Sequence, residues 1–410
     1  MNHIIWRFGF YDKNSKLAQS VKKSCSRIYS HKEDGDNWLF LNDEQAVKTA
    51  DRYAEAVVEY IFVKLGMKPP ERKKLEEDIK IKPHQLDDDD KEEIKTWLNT
   101  HICGKTGNID ESEMADRLNL LIRGHYLELK EESWFNNLMP TPSDETTEKL
   151  KKILKKVFNY EYFSDTAKKY RSDLLSATKI TVCPYCDRQY ISYYSDDKTT
   201  ADLDHFWDKS EFPYFALSLF NFIPSCHTCN STFKGTKNLK VYPYRSGFDT
   251  RFDLKPESEM RPGEFFSQVV IGSYKGRITV KQCVNDNVSD SRKDEIENDI
   301  SVLKLNDLYT EHGDYVRELL TVKHLYEDED YIRQVNDILK NSLKKDGMNV
   351  NFPYPVTKEG VRAFLIGDTD GDESGRGEHS LLPQKRPLAA LTSAVMSDEY
   401  PILTNSVKKK

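Results

Sequence analysis

Residues 183–234 read CPYCDRQYISYYSDDKTTADLDHFWDKSEFPYFALSLFNFIPSCHTCNSTFK. Two CxxC pairs, Cys183/Cys186 and Cys226/Cys229, bracket 39 residues. A CxxC knuckle turns two sulfurs onto one ion, so two knuckles supply the four thiolates of a closed, tetrahedral, structural zinc site. Such a site draws together residues that are distant in sequence. Asp204-His205 and Asn221 lie between the knuckles, and Asn230 directly follows the fourth cysteine. Asp204-His205 and Asn230 are therefore expected around one point.

The pattern CxxC … DHFxxKS … N … PSCxxCN … K resembles the HNH (ββα-metal, His-Me finger) endonucleases of the zinc-ribbon type. The resemblance covers roughly residues 180–250 of the 410. The sequence departs from it in two places: Asp208 stands where many relatives carry Pro, and Asn230 replaces the third His. The resemblance implies that His205 is the general base, that Asp204 and Asn230 hold a catalytic metal, and that Asn221 keeps the His205 ring in its working tautomer. Hard oxygen ligands suit Mg2+ or Mn2+. One divalent cation and one imidazole can activate water, neutralise a phosphate and assist the departing oxygen. Adjacent residues on an ideal strand point to opposite faces, so Asp204 and His205 can serve one phosphate only if the strand ends or bulges there.

A lone Asp-His pair is common and means little without the cysteine frame. CPYC also looks like a glutaredoxin active site, but a redox CxxC opens a helix after a strand, whereas RQYISYY here is strand-like. His227 reads as a solvent-facing spacer. Lys234, Lys237, Lys240 and Arg245 follow the site closely and are expected to clamp phosphates, with a solvated charged loop as the alternative. Tyr193, Tyr194, Trp207, Phe212 and Tyr214 read as a miniature core rather than as base-stacking platforms.

Composition bounds the rest. The chain has 410 residues, 38% hydrophobic and 31% charged, with mean hydropathy −0.71. That is a folded, polar protein of two or three domains. No apolar run approaches the length of a membrane span, and the start, MNHIIWRFGFYDK, lacks the features of a signal peptide, so a cytoplasmic location is expected. Besides the two pairs, Cys25, Cys103 and Cys283 stand isolated, which fits buried thiols rather than a disulfide framework. A net charge of −7 does not exclude nucleic acid, because phosphate affinity depends on a local basic surface.

The expected fold class is α+β: mainly helical N- and C-terminal regions around a small zinc-bound ββα module. Apolar spacing predicts helices over Asp43–Leu65, Lys91–Cys103, Ser112–Tyr126 and Ser143–Val157. The acidic run Asp87–Asp90 reads as a helix cap. Short strands are expected at Ile4–Phe10, Lys179–Val182, Gln189–Tyr194 and Ala201–Asp204, with a brief helix over Thr228–Lys234 stopped by Gly235. Phe265–Gly272 and Arg277–Val284 read as a hairpin, and helices return over Ser289–Leu303, Leu308–Tyr326 and Asp330–Leu343. DTDGDE in the polar stretch 368–380 echoes a calcium loop but has His379 at its twelfth position, so it reads as a loop. The expected division is a helical domain at 1–175, the nuclease module at 176–250, a hairpin-plus-helix region at 251–366 and a tail at 367–410.

The expected function is a metal-dependent HNH endonuclease that cleaves DNA to 5′-phosphate and 3′-hydroxyl ends, with structural Zn2+ and catalytic Mg2+ or Mn2+. HNH domains in long bacterial chains resemble effectors of anti-phage defence, such as Septu-like nucleases that work with an ATPase. Such a partner protein is expected to dock on the helical regions. One site cuts one strand, so double-strand cleavage requires a homo-oligomer or two successive events. The alternative is a non-catalytic zinc ribbon that binds nucleic acid or protein.

Overall fold

The computed structural model describes Met1 and residues 44–68, 86–130, 132–136, 138, 147–161, 168–178, 180–194, 198–327, 330–334, 336–337, 365 and 386–396. Its class is α+β, with helices dominant and two separate two-stranded antiparallel sheets. The chain divides into two compact units, one comprising His3–Pro184 and Ile191–Ser246, the other Met1–Asn2, Tyr185–Tyr190 and Gly247–Lys410. The expected strand at Ile4–Phe10, half of the helix at Asp330–Leu343 and the loop at 368–380 lie outside the described residues.

The first unit is built on α1 (Glu44–Lys64). Ala46, Ala50, Tyr53, Ala54, Val57, Val58 and Ile61 recur every three or four residues and all are buried, the stripe a 3.6-residue period demands. Gly66 follows at φ 67°, a left-handed position that ends a helix cheaply only in glycine. In α2 (Asp88–His101) the Asp87 carboxylate accepts the Asp90 N–H at 2.7 Å, so the acidic run is a cap. Helix α3 (Glu111–Arg123) starts from Asp110, whose Oδ1 accepts from the Ser112 and Glu113 N–H groups. Helices α4 (Thr147–Val157) and α5 (Lys168–Thr178) follow, and α1 packs against α3 and α5.

Strand β1 (Ala201–His205) pairs antiparallel with β2 (Phe222–Cys226). An aromatic cluster fills the space around them: Phe215 lies 5.5 Å from Phe135 and 5.3 Å from Phe220, and Trp207 lies 4.5 Å from Tyr126. Trp207, Phe212 and Tyr214 therefore pack the interior of this unit, while Tyr194 is exposed. The strands expected beside the first knuckle reduce to isolated bridges, such as Tyr193 with Thr199. Helix α1 is tied to the loop before β2 by the Tyr53 hydroxyl, which donates to the Leu217 carbonyl at 2.8 Å.

In the second unit the expected hairpin is corrected. Phe265–Gly272 is not a strand: Pro262–Val270 forms helix α6, with Pro262 in its first turn. Pro at that position pre-sets a helical φ, and Phe265 and Val269 are buried one turn apart. The partner of β4 (Ile278–Val284) is instead β3 (Thr250–Pro256). Helix α7 (Asp290–Val302) matches expectation, but the expected Leu308–Tyr326 helix is two, α8 (Leu305–Thr310) and α9 (Gly313–Glu327). A Cβ on Gly313 would meet the Ile278 carbonyl oxygen at 2.3 Å, so the break sits where only glycine fits. Helix α10 (Ala389–Met396), in a stretch with no sequence signal, packs on α9 with Leu391 and Val395 fully buried. Asp187 anchors its start, its carbonyl accepting from Leu388 N–H at 2.5 Å and its carboxylate from Ala390 N–H at 2.8 Å. Of the isolated cysteines, Cys103 is buried as expected, whereas Cys283 is half-buried and donates to Asp253.

Replacing Tyr53 by Phe strips a buried carbonyl of its donor and is expected to cost about 1–3 kcal/mol. A lower urea midpoint at an unchanged slope would show it; an unchanged midpoint would mean that water takes over the bond.

Candidate metal centre and adjoining cleft

Cys183, Cys186, Cys226 and Cys229 come together as expected. Their sulfurs lie within 4.8 Å of one another and all four residues are buried. Zn–S bonds of about 2.3 Å in a tetrahedron place sulfurs about 3.8 Å apart, so the set fits a zinc ion. Cys226 ends β2, and Cys229 lies in the turn Thr228–Lys234. Asp187, directly after the first pair, takes φ 54°. No helix starts at Cys183, since Pro184 to Cys186 form a turn, which removes the redox reading of CPYC.

Beside this centre, a cleft of about 490 Å³ is lined by Asp204, His205, Asn230 and Lys234 from the expected set. Strand β1 ends at His205, which is how adjacent residues come to share one cleft. The imidazole sits edge-on between Tyr160 and Phe222, at 4.6 and 5.3 Å. Its Nε2 lies 2.9 Å from the Ala216 carbonyl oxygen. A carbonyl only accepts, so Nε2 carries the hydrogen, and in the neutral ring Nδ1 holds the lone pair. No hydrogen bond to Nδ1 forms among the described residues. Burial pushes the His205 pKa down to about 4, reinforced by Lys209 and Lys234 and opposed by Ala216 and Asp208. The ring is neutral at cellular pH and available as a base.

Asn221 requires a correction. It is fully buried, and its amide is spent on the backbone of the preceding loop: Nδ2 donates to Trp207 O and Phe215 O, and Oδ1 accepts from Trp207 N–H. The ring is held by Ala216, in the loop that Asn221 pins, so Asn221 acts on His205 at one remove. Lys234 is also corrected. It is 2% exposed, and its ammonium donates to Asp204 Oδ1 at 2.9 Å and to the His205 carbonyl at 2.8 Å. It neutralises a buried carboxylate instead of waiting in solvent for a phosphate. Lys237, Lys240 and Arg245 are exposed and do not line the cleft.

Thr228–Lys234 is helical as expected but π-wound, the Gly235 N–H reaching back five residues to the Asn230 carbonyl. Single π-type turns are frequent at functional sites. Asn230 Nδ2 donates to Asp202 Oδ2 at 3.1 Å, and His227 Nδ1 lies 2.9 Å from the same oxygen. His227 is exposed, as a spacer should be, yet it touches the cleft. Asp202 was missed, although its two-residue spacing from Asp204 places both on one strand face. Tyr160 and Arg171 were missed for want of any signal, since they arrive from the helical segments before the first knuckle.

The oxygen donors of Asp204 and Asn230 are of the kind that holds Mg2+ or Mn2+, and they share the cleft. Asp204 is paired with an ammonium and Asn230 with Asp202. Comparison with known protein families, curated proteins and solved structures gives no match.

Purified protein is expected to carry about one zinc per chain, and Cys226→Ser to lose most of it together with stability. Elemental analysis alongside thermal unfolding checks this; metal-free, fully folded wild type would contradict it.

His205 also sets a pH dependence. Its folded pKa of about 4 lies below the ordinary histidine value of about 6.5, so the unfolded chain binds more protons in that window. The contribution is fully present above about 6.5 and is lost as pH falls towards about 4. His205→Gln is expected to flatten this part of the stability curve, measured without added divalent cations. An imidazole NMR midpoint near 6.5 in the folded protein would overturn the assignment.

Proposed function

We propose that this chain is a metal-dependent HNH-type endonuclease that hydrolyses DNA phosphodiester bonds, with His205 as general base. The observation that carries the reading is the His205 ring, whose hydrogen-bearing Nε2 is fixed on Ala216 while Nδ1 remains a lone-pair base in a cleft shared with Asp204 and Asn230. Nδ1 takes a proton from the attacking water, and the Ala216 carbonyl holds the resulting imidazolium by accepting from Nε2. Tyr160 and Phe222 fix the plane of the ring. Asp204 and Asn230 would hold Mg2+ or Mn2+, which when bound neutralises charge on the phosphate and the departing oxygen. The four cysteines fix the end of β2 and the turn that carries Asn230.

A second reading has its own observation. Lys234 and Asp204 form a satisfied buried ion pair, which a zinc-ribbon binding module without catalysis would keep for structure alone. The resemblance that motivates the nuclease also motivates a place in anti-phage defence, with an ATPase partner docking on the helical regions; co-purification with a neighbouring ATPase would test that separately.

Plasmid DNA incubated with Mg2+ or Mn2+ decides between the two readings. Wild type is expected to cut and His205→Ala to lose at least about a hundredfold, the usual scale of general-base catalysis, with zinc content unchanged. Equal cutting by both would place the chemistry elsewhere. Binding of DNA without cutting, with zinc present, would establish the binding module.

A further inference from the structure

Arg171 is the unassigned cation of the cleft. It belongs to α5, outside the segment 180–250 that carries the motifs. Its Nη2 donates to the Ala201 carbonyl at 3.2 Å and stands 3.9 Å from Asp202 Oδ1, beyond hydrogen-bond reach. Its buried Nε has no hydrogen-bond partner among the described residues, and its side chain is 37% exposed in the cleft. One corner of the guanidinium is thus tied to the backbone of β1, while its Nη1 makes no hydrogen bond among the described residues.

The charges of the cleft say what those groups are for. Its cations are Arg171, Lys209 and Lys234, and its acids are Asp202, Asp204 and Asp208. Lys234 is consumed by Asp204 and is buried. Lys209 leans on Glu161, a pair whose two side chains are both exposed. Arg171, whose pairing with Asp202 is long at 3.9 Å, is therefore the cation of the cleft that is both tied to the backbone and partly exposed. A planar guanidinium held by one corner suits the oxygens of a phosphate, and Arg171 lines the same cleft as His205.

Resting on the endonuclease reading, we propose that Arg171 binds non-bridging oxygens of the DNA phosphodiester in the cleft, so that the helical N-terminal segment supplies part of the substrate site. The HNH-like segment is then incomplete without α5. The Ala201 bond also gives Arg171 a hold on β1, so the test must read phosphate contact apart from scaffold.

The experiment uses the full chain. A fluorescent DNA duplex is bound in Ca2+ across a salt series, by wild type, Arg171→Lys and Arg171→Met, with plasmid cleavage in Mg2+ alongside. The proposal expects Arg171→Met to bind roughly ten- to a hundredfold more weakly, the scale of a lost charged hydrogen bond. Its salt slope should fall by about one phosphate contact. Arg171→Lys should keep the slope while losing part of the affinity. Wild-type affinity and slope in both variants would overturn the proposal even if cleavage fell, because that pattern is scaffold alone. A wild type that cuts no plasmid in Mg2+ or Mn2+ would overturn the nuclease reading beneath it, an outcome distinct from wild type cutting while Arg171→Met binds normally.

Discussion

Four buried thiols within one small sphere are the constraint on which the site depends. Thiolates this close repel one another unless a cation sits between them, and a structural zinc ion takes four of them in a tetrahedron. The consequence lies one step away, because Cys226 is also the last residue of β2 and stands opposite Ala201 in the register. Fixing Cys226 fixes which residues of β1 face the turn that follows. Asp202 and Asp204 are two apart on the strand and share a face; Asn230 and Lys234 are four apart on the turn and share another. The two spacings meet, Asn230 on Asp202 and Lys234 on Asp204. A register slip of one residue would turn both acids away.

The same arrangement sets the electrostatics. Desolvating a carboxylate is costly, and the interior tolerates Asp204 because Lys234 meets it with a charge-assisted hydrogen bond while also holding the His205 carbonyl. Removing either partner would leave an uncompensated buried charge. Burial also keeps His205 neutral, helped by the positive charges of Lys209 and Lys234. The lysine that satisfies the acid therefore also disfavours a proton on the neighbouring imidazole.

How much of this was legible follows from the range of each signal. The four cysteines and Asp204-His205 were readable because their meaning lies in short spacings. Helices α1, α2 and α3 were readable from apolar period and from caps, Asp87 and Asp110 being local chemistry. Phe265–Gly272 suggests a strand through its aromatic and β-branched residues, but Phe265 and Val269 recur at helical spacing, and Pro262 at the start and the pairing of Thr250–Pro256 with β4 decide for a helix. Asn221 was given a contact that belongs to a backbone carbonyl, and a main-chain oxygen leaves no mark in a sequence. Tyr160 and Arg171 reach the cleft through tertiary packing, which no local pattern records. Asp202 is legible by the same logic: the strand period that separates Asp204 from His205 also unites it with Asp202.

The nuclease and binding-module readings differ most sharply at Lys234. An ammonium 2.9 Å from Asp204 Oδ1 stands close enough to a carboxylate-bound divalent cation to repel it. Two unit charges 4 Å apart interact by about 4 kcal/mol at the effective dielectric of a protein surface, and a doubly charged ion doubles that. If the site is catalytic, the cation must bind weakly to the free protein and more tightly once a phosphate brings negative charge into the cleft. Lys234 would then keep its second bond, to the His205 carbonyl, while sharing Asp204. If the site is structural, the ammonium is all the cation that Asp204 requires. The same 2.9 Å contact serves both readings, and what separates them is whether a phosphate has a place beside it.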